Sequence, residues 1–290
     1  MNKIRNWFTT IFLLASIISC QKETPDVPDN TAIAKKLLNV SYGTDAQQDM
    51  DVYLPAGRNS STTRVMIMIH GGGWTSGDKS DFAAFVDTMQ RRLPDYAIFN
   101  INYRLSASPA NLFPTQEMDV KEAIGFIYQK SFDYQLSDKY VLIGASAGGH
   151  LAMLQGFKYI SPVVPKAIVS FYGPSDLKDM YNNPVGGNNL ISLALAQAIG
   201  KTPVEDLQLY VNSSPVNFIT TLSPPAILLH GGLDPLVSAS QSTKVIDKLA
   251  IAGVNNQYVF YPSAGHDIWI DSLMFDAFNK IESFLAANVL

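Results

Sequence analysis

Cys20 is the only cysteine in the 290-residue sequence, so no intrachain disulfide holds the fold together. An excess of positive charge is missing too: 21 Lys and Arg stand against 25 Asp and Glu, for a formal net charge of −4. A surface so balanced offers no electrostatic footprint for nucleic acid. The longest uncharged apolar run, "WFTTIFLLASIIS" at 7–19, is too short to span a bilayer comfortably. Histidines number four, at 70, 150, 230 and 266, which narrows any search for a general base. What the chain does have is 47% hydrophobic residues with ordinary charge content, enough to bury one large core or two modest ones.

Lys3 and Arg5 precede the apolar run at 7–19, and a basic stretch before a short apolar one describes a secretory signal. The closing "IISC" resembles the lipobox of bacterial lipoproteins, which are cut before a cysteine that carries lipid. The expectation is a signal peptide over 1–19 and a lipidated Cys20 as the first mature residue. The protein would then sit in the bacterial cell envelope, membrane-anchored on the periplasmic or the surface-exposed face. The other reading is an incidental or buried cysteine behind a plain signal peptide. Residues 20–33, with "QKETPDVPDN", are polar, acidic and proline-bearing, which suits an extended tether. The folded domain is expected over 34–290.

Within that domain "KKLLNVSYG" and "QDMDVYLP" read as two strands joined by a turn, an antiparallel start to a sheet. Six more apolar runs follow: "RVMIMIHGGG", "YAIFNINYRL", "KYVLIGAS", "KAIVSFYGP", "PPAILLHGG" and "NQYVFYPSAGH". They alternate with helical stretches such as "TQEMDVKEAIGFIYQKSF", the mark of an α/β fold with helices on both faces of a mostly parallel sheet of about eight strands. Continuous apolar runs without strict polar alternation suit strands covered on both sides. Nearly every run ends in Gly, His, Ser, Asp or Pro, and in open α/β sheets ligands bind beyond those carboxyl ends. Residues 176–222 are longer than a simple crossover needs. They form either a small cap over the site or a stretch of connecting helices.

"GASAG" at 144–148 fits the nucleophile elbow G-x-S-x-G, in which small neighbours permit a strained turn that exposes Ser146. A serine hydroxyl is a weak nucleophile until a base accepts its proton. His150 lies one helical turn beyond Ser146 and reads as a packing or capping residue. His70 and His230 each stand at a strand end before glycines and read as loop anchors. His266, in "YPSAGHD" after the last strand, is the remaining candidate base. The imidazole needs an acid to hold its tautomer. Asp234 in "HGGLDPLV" is favoured, although an N-cap role would equally explain an aspartate there. Asp176 is the rival, and Asp267 would point away if His266 points in. An oxyanion requires convergent amides, which the glycines of "HGGGW" at 70–74 and the N–H of Ala147 can supply. The same glycines lack the Lys-Ser/Thr ending of a phosphate-binding P-loop.

Taken in order, "HGGGW", "GASAGG", "HGGLDPLV" and "SAGHD", with "NYRL" at 102–105, resemble the α/β-hydrolase carboxylesterases. The likeness is to the hormone-sensitive-lipase-like esterases and to the bifunctional acetylxylan and feruloyl esterases of gut bacteria. It covers nearly all of 36–290. The resemblance implies Ser146 as nucleophile with Asp234 and His266 as its relay, and Gly72, Gly73 and Ala147 as oxyanion donors. It gives Arg104 and Asp119 a structural role behind the site. Such chemistry needs no metal and no organic cofactor. The implied reaction is ester hydrolysis through an acyl-enzyme, with acetyl or feruloyl groups on glycans as the implied substrates. Trp74 either contacts a sugar or aryl ring or only packs. A small-substrate serine peptidase or amidase on the same residues, and a non-catalytic binding protein on the same scaffold, are the rival readings.

Overall fold

A computed structural model describes residues 32–266 and 271–290. The signal segment, Cys20 and Asp267 lie outside the described residues. Eight strands form one sheet: β1 (Lys35–Ser41), β2 (Asp49–Leu54), β3 (Arg64–Ile69), β4 (Tyr96–Ile101), β5 (Tyr140–Ala145), β6 (Ala167–Phe171), β7 (Ala226–Gly231) and β8 (Asn256–Tyr261). Their spatial order is β1-β2-β4-β3-β5-β6-β7-β8. β2 runs antiparallel to both β1 and β4, and every pairing from β4 to β8 is parallel. β3 and β5 are therefore neighbours whose connections leave toward opposite sides of the sheet, which places a crevice beyond their carboxyl ends.

The helices are α1 (Ala83–Arg92), α2 (Thr115–Gln129), a short α3 (Ser131–Tyr134), α4 (Ala147–Lys158), α5 (Leu177–Asn182), α6 (Asn189–Ile199), α7 (Leu207–Asn212), α8 (Ser240–Ile251) and α9 (Asp271–Asn288). Alternation along each central strand sends successive side chains to opposite faces. Val65, Ile67 and Ile69 of β3 join one core with α2, α4 and α8, while Met66 and Met68 join a second core with α1 and α9. Both faces are thus covered, which is why β3 to β7 read as unbroken apolar runs. Truncating one of these side chains, Ile67 for example, to alanine costs about 2–5 kcal/mol.

Of the edge strands, β1 is largely exposed, and its register with β2 shifts between Leu37 and Val40. An irregular edge bearing Lys35 and Lys36 is a poor template for pairing with another chain. No helix among the described residues is long and apolar enough to cross a membrane. Residues 176–222 fold as α5, α6 and α7 with short 3-10 turns between β6 and β7. The C-terminal end of α6 is fastened to the loop after β4, since the Ala198 carbonyl accepts from Phe113 N–H at 3.0 Å and from the Ser106 hydroxyl at 3.1 Å.

Candidate active site

Ser146 stands between the last residue of β5 and the first of α4, at φ 53° and ψ −120°. A side chain held at such angles costs about 1–3 kcal/mol of strain, and the surroundings enforce it. The Ser146 N–H donates to the Phe171 carbonyl at 2.8 Å, and its own carbonyl starts α4 by accepting from His150 N–H at 3.0 Å. The helix also approaches β3 so closely that a Cβ on Gly148 would lie 2.0 Å from the Ile69 carbonyl oxygen. Glycine at 148 is therefore a condition for the turn.

Three residues distant in sequence meet at this turn. The His266 Nε2 is 2.9 Å from the Ser146 hydroxyl, and its Nδ1 is 2.7 Å from Asp234 Oδ2. A carboxylate only accepts, so Nδ1 carries the proton and Nε2 presents its lone pair to the serine. Asp234 is buried, and burial alone would raise its pKa. Hydrogen bonds from His230 and His266, the charge of His266 and the Val237 N–H outweigh that, and hold the carboxyl well below the usual range. Its other oxygen accepts from the N–H groups of Leu236 and Val237 at 2.8 and 2.9 Å. Asp234 is thus not the N-cap of α8, which begins after Ala239 with no side-chain cap; its carboxylate instead closes the turn at 234–237 and holds His266. Asp176 instead caps α5 through Asp179 N–H and pairs with Lys244 at 3.0 Å.

The other histidines have structural partners. His230 bonds Ser242 Oγ at 2.7 Å and the Val237 carbonyl at 2.9 Å, bracing the turn that carries Asp234. His150 accepts at Nδ1 from the Trp74 indole N–H at 3.2 Å and donates from Nε2 to the Ser213 carbonyl at 2.7 Å. Burial lowers its pKa to about 4, so it is neutral and outside the proton relay. His70 is fully buried, stacks on Tyr103 with ring centroids 4.3 Å apart, and donates from Nδ1 to the Gly71 carbonyl at 2.8 Å.

The glycine loop is fixed peptide by peptide. The Tyr103 hydroxyl also donates to the Gly71 carbonyl, at 3.1 Å. Across a planar trans peptide the N–H of the next residue points the opposite way, so pinning the Gly71 carbonyl sets the Gly72 N–H. The Gly72 carbonyl in turn accepts from Thr75 and Ser76 N–H groups, which sets the Gly73 N–H. Neither of those N–H groups, nor that of Ala147, donates to an acceptor among the described residues. Gly72 has φ +102°, and a Cβ there would lie 2.0 Å from the Ser76 carbonyl oxygen. Trp74 is 5% exposed and edges the cavity, so packing is its main role.

Two cavities flank Ser146 and His266. The smaller, about 160 Å³, is walled by Trp74, Ala147, Pro174 and Val237 and by Met180, Ile191, Ala194 and Leu195 of the 176–222 segment. The larger, about 460 Å³, is bounded by Gly71, Gly72, Asp81, Phe82 and Tyr172. Tyr172, at φ 41°, holds its ring 4.5 Å from that of His266. None of Tyr172, Met180, Ile191 or Leu195 stands out in the sequence. The one available signal is α6 itself, whose "NLISLALAQAI" buries Ile191 and Leu195 yet exposes Leu190 and Leu193. Behind the site, Asp119 accepts from the Arg104 side chain at 2.6 Å, from Arg104 N–H at 2.8 Å and from Gln48 Nε2 at 2.9 Å. No cluster of His, Cys, Asp or Glu among the described residues could hold a metal ion.

A model of the BD-FAE family matches residues 50–249, a span that contains Ser146 and Asp234. A probable carboxylic ester hydrolase LipM of Mycobacterium tuberculosis is 29% identical over 77% of this chain and 53% of its own length. The chain spans about half the length of the curated relatives it matches. Among solved structures, a truncated form of a carbohydrate esterase from gut microbiota superposes with a TM-score of 0.70 at 24% identity, covering 87% of this chain and 98% of that one. A bifunctional GH43-CE protein of Bacteroides eggerthii gives 0.75 at 24% identity, over 88% of this chain and 35% of that one. The shared architecture is the α/β-hydrolase fold.

Proposed function

Because this chain belongs to the BD-FAE family, we propose that it is a serine hydrolase of carboxylic esters. The observation that carries the reading is the unbroken line Ser146 Oγ, His266 Nε2, His266 Nδ1, Asp234 Oδ2, with contacts of 2.9 and 2.7 Å. His266 takes the hydroxyl proton as Ser146 attacks the ester carbonyl, and the carbonyl oxygen becomes an anion. The N–H groups of Gly72, Gly73 and Ala147, which have no acceptor among the described residues, receive that charge. His266 then gives its proton to the departing alcohol, leaving an acyl group on Ser146. Water, deprotonated by His266, releases the acid. Asp234 stays ionised throughout and stabilises the imidazolium.

Esters borne on glycans are the proposed substrates, since the open side of the site admits a large alcohol and a structural neighbour is named a carbohydrate esterase. A lipid anchor at Cys20 would hold the domain in the cell envelope, where such polymers are met. The test is a panel of p-nitrophenyl esters, acetylated xylan and methyl ferulate, with an aminoacyl anilide beside them. Wild type is expected to hydrolyse esters, and Ser146→Ala to lose about 10⁴- to 10⁶-fold in kcat. Full activity in Ser146→Ala, or none in wild type on any ester, rejects the reading. Mass spectrometry of membrane-extracted protein checks the anchor, through a lipid-modified N-terminus at Cys20.

A further inference from the structure

The two cavities around Ser146 differ in the way an ester's two halves differ, and we propose that this assigns them. The cavity walled by the 176–222 segment takes the acyl group, and Ile191 and Leu195 set a ceiling on its size, so that short aliphatic acyl groups are accepted and hydroxycinnamoyl groups are not. The assignment rests on the reading of Ser146 as an esterase nucleophile. Once the carbonyl carbon is bonded to Ser146 and its oxygen faces the glycine loop and Ala147, only two directions remain for the other substituents. The alcohol has to leave and water has to arrive along the same line, so that half belongs on the wider side, about 460 Å³, by Asp81 and Tyr172. The acyl group stays bonded through both steps. Its place is the smaller cavity, where Pro174, Met180, Ile191, Leu195 and Val237 present apolar carbon.

Size follows from the volume. A dry apolar cavity of ~150 Å³ accommodates benzene, and the acyl cavity here is about 160 Å³. A butanoyl or hexanoyl chain is of that class. A feruloyl group adds a propenoyl arm, a methoxyl and a hydroxyl to a benzene ring, and exceeds it. The far wall does not yield easily: Leu195 is 2% exposed within the core, and the end of α6 is bonded through the Ala198 carbonyl to the loop after β4. Ala194, by contrast, is exposed at the rim, where a larger side chain narrows the cavity without entering the core.

The experiment is kcat/KM on p-nitrophenyl esters from acetate to dodecanoate, with methyl ferulate, for wild type, Leu195→Ala and Ala194→Phe. Wild type is expected to fall at least about tenfold from hexanoate to decanoate, a modest allowance for excess methylenes, with methyl ferulate among the poorest substrates. Leu195→Ala moves the fall to longer chains. Ala194→Phe moves it toward acetate while acetate hydrolysis survives, and this variant serves as the check should Leu195→Ala fold poorly. An even profile to dodecanoate, efficient methyl ferulate hydrolysis by wild type, or an unshifted Ala194→Phe profile overturns the acyl assignment while leaving the esterase reading intact. Absence of hydrolysis with every ester overturns both.

Discussion

Asp234 gives one oxygen to His266 Nδ1 at 2.7 Å and the other to the backbone of its own turn, at Leu236 and Val237. The residue that orients the histidine is therefore itself oriented by the first residues after β7. Asp234→Asn keeps an oxygen for the turn but offers His266 an amide donor, which favours the wrong tautomer. The expected result is a kcat lower by about 10⁴-fold with little change in stability. Asp234→Ala loses the turn bonds as well and should add an unfolding penalty of about 1–3 kcal/mol. Steady-state kinetics and urea denaturation of both variants separate the two effects; equal stabilities would show that the turn does not need the carboxylate.

Gly72→Ala tests the glycine loop. The added Cβ meets the Ser76 carbonyl oxygen at a φ of +102°, so the peptide has to rotate and its N–H leaves the place where the oxyanion would form. A loss of about 10²- to 10³-fold in kcat is expected. KM should change little, because the interaction is made only in the transition state. A variant with wild-type kcat would remove Gly72 from the proposed donors.

His150 predicts a pH dependence of stability. Burial lowers its pKa from 6.5 to about 4 in the folded protein. Below pH 6.5 the unfolded chain takes up a proton that the folded one refuses, so its contribution is complete above that pH and is lost as pH falls toward 4. Between pH 8 and pH 5 the loss amounts to about 2 kcal/mol. By urea denaturation, the unfolding free energy of wild type should fall between those two pH values by that much more than that of His150→Gln. Parallel behaviour of the two proteins would contradict it.

Asp119 has no exposed side-chain surface and binds Arg104 through both its side chain and its backbone. Asp119→Ala strands the Arg104 N–H and leaves the Gln48 amide with Glu122 as its remaining acceptor. An unfolding free energy lower by about 3 kcal/mol is expected, measured by urea denaturation at neutral pH. A loss under about 1 kcal/mol would place the pair among surface ion pairs of little consequence.

The sheet and the meeting of Ser146, Asp234 and His266 are legible because each of the three lies within a few residues of a strand end, where small and polar residues interrupt an apolar run. The pattern of those interruptions reports directly on geometry. Met180, Ile191 and Leu195 carry no such mark. An apolar side chain that lines a cavity obeys the same 3.6-residue period as one that fills a core, and only the packed structure tells the two apart. Tyr172 is hidden differently: in "SFYGP" it continues an apolar strand, and nothing in its neighbours announces a positive φ at a tyrosine. The N-cap reading of Asp234 fails because the chain makes a turn, closed by the Asp234 carboxylate at Leu236 and Val237, before α8 begins at Ser240; an aspartate that closes a turn and one that caps a helix look alike in sequence.

The hydrogen bonds that run from the Ser213 carbonyl through the buried His150 to the Trp74 indole restrict how the protein can be re-engineered. Segment 176–222 supplies Met180, Ile191, Ala194 and Leu195 to the wall of the smaller cavity, so it is the piece to exchange when new selectivity is sought. Yet its residue 213 holds, at one remove, the tryptophan that follows the three glycines. A transplanted segment that brings a different wall but misplaces that carbonyl would leave His150 with a buried, unmet N–H and loosen the loop opposite. A chimera that changes the cavity wall without disturbing the glycine loop has to keep the Ser213 carbonyl in place.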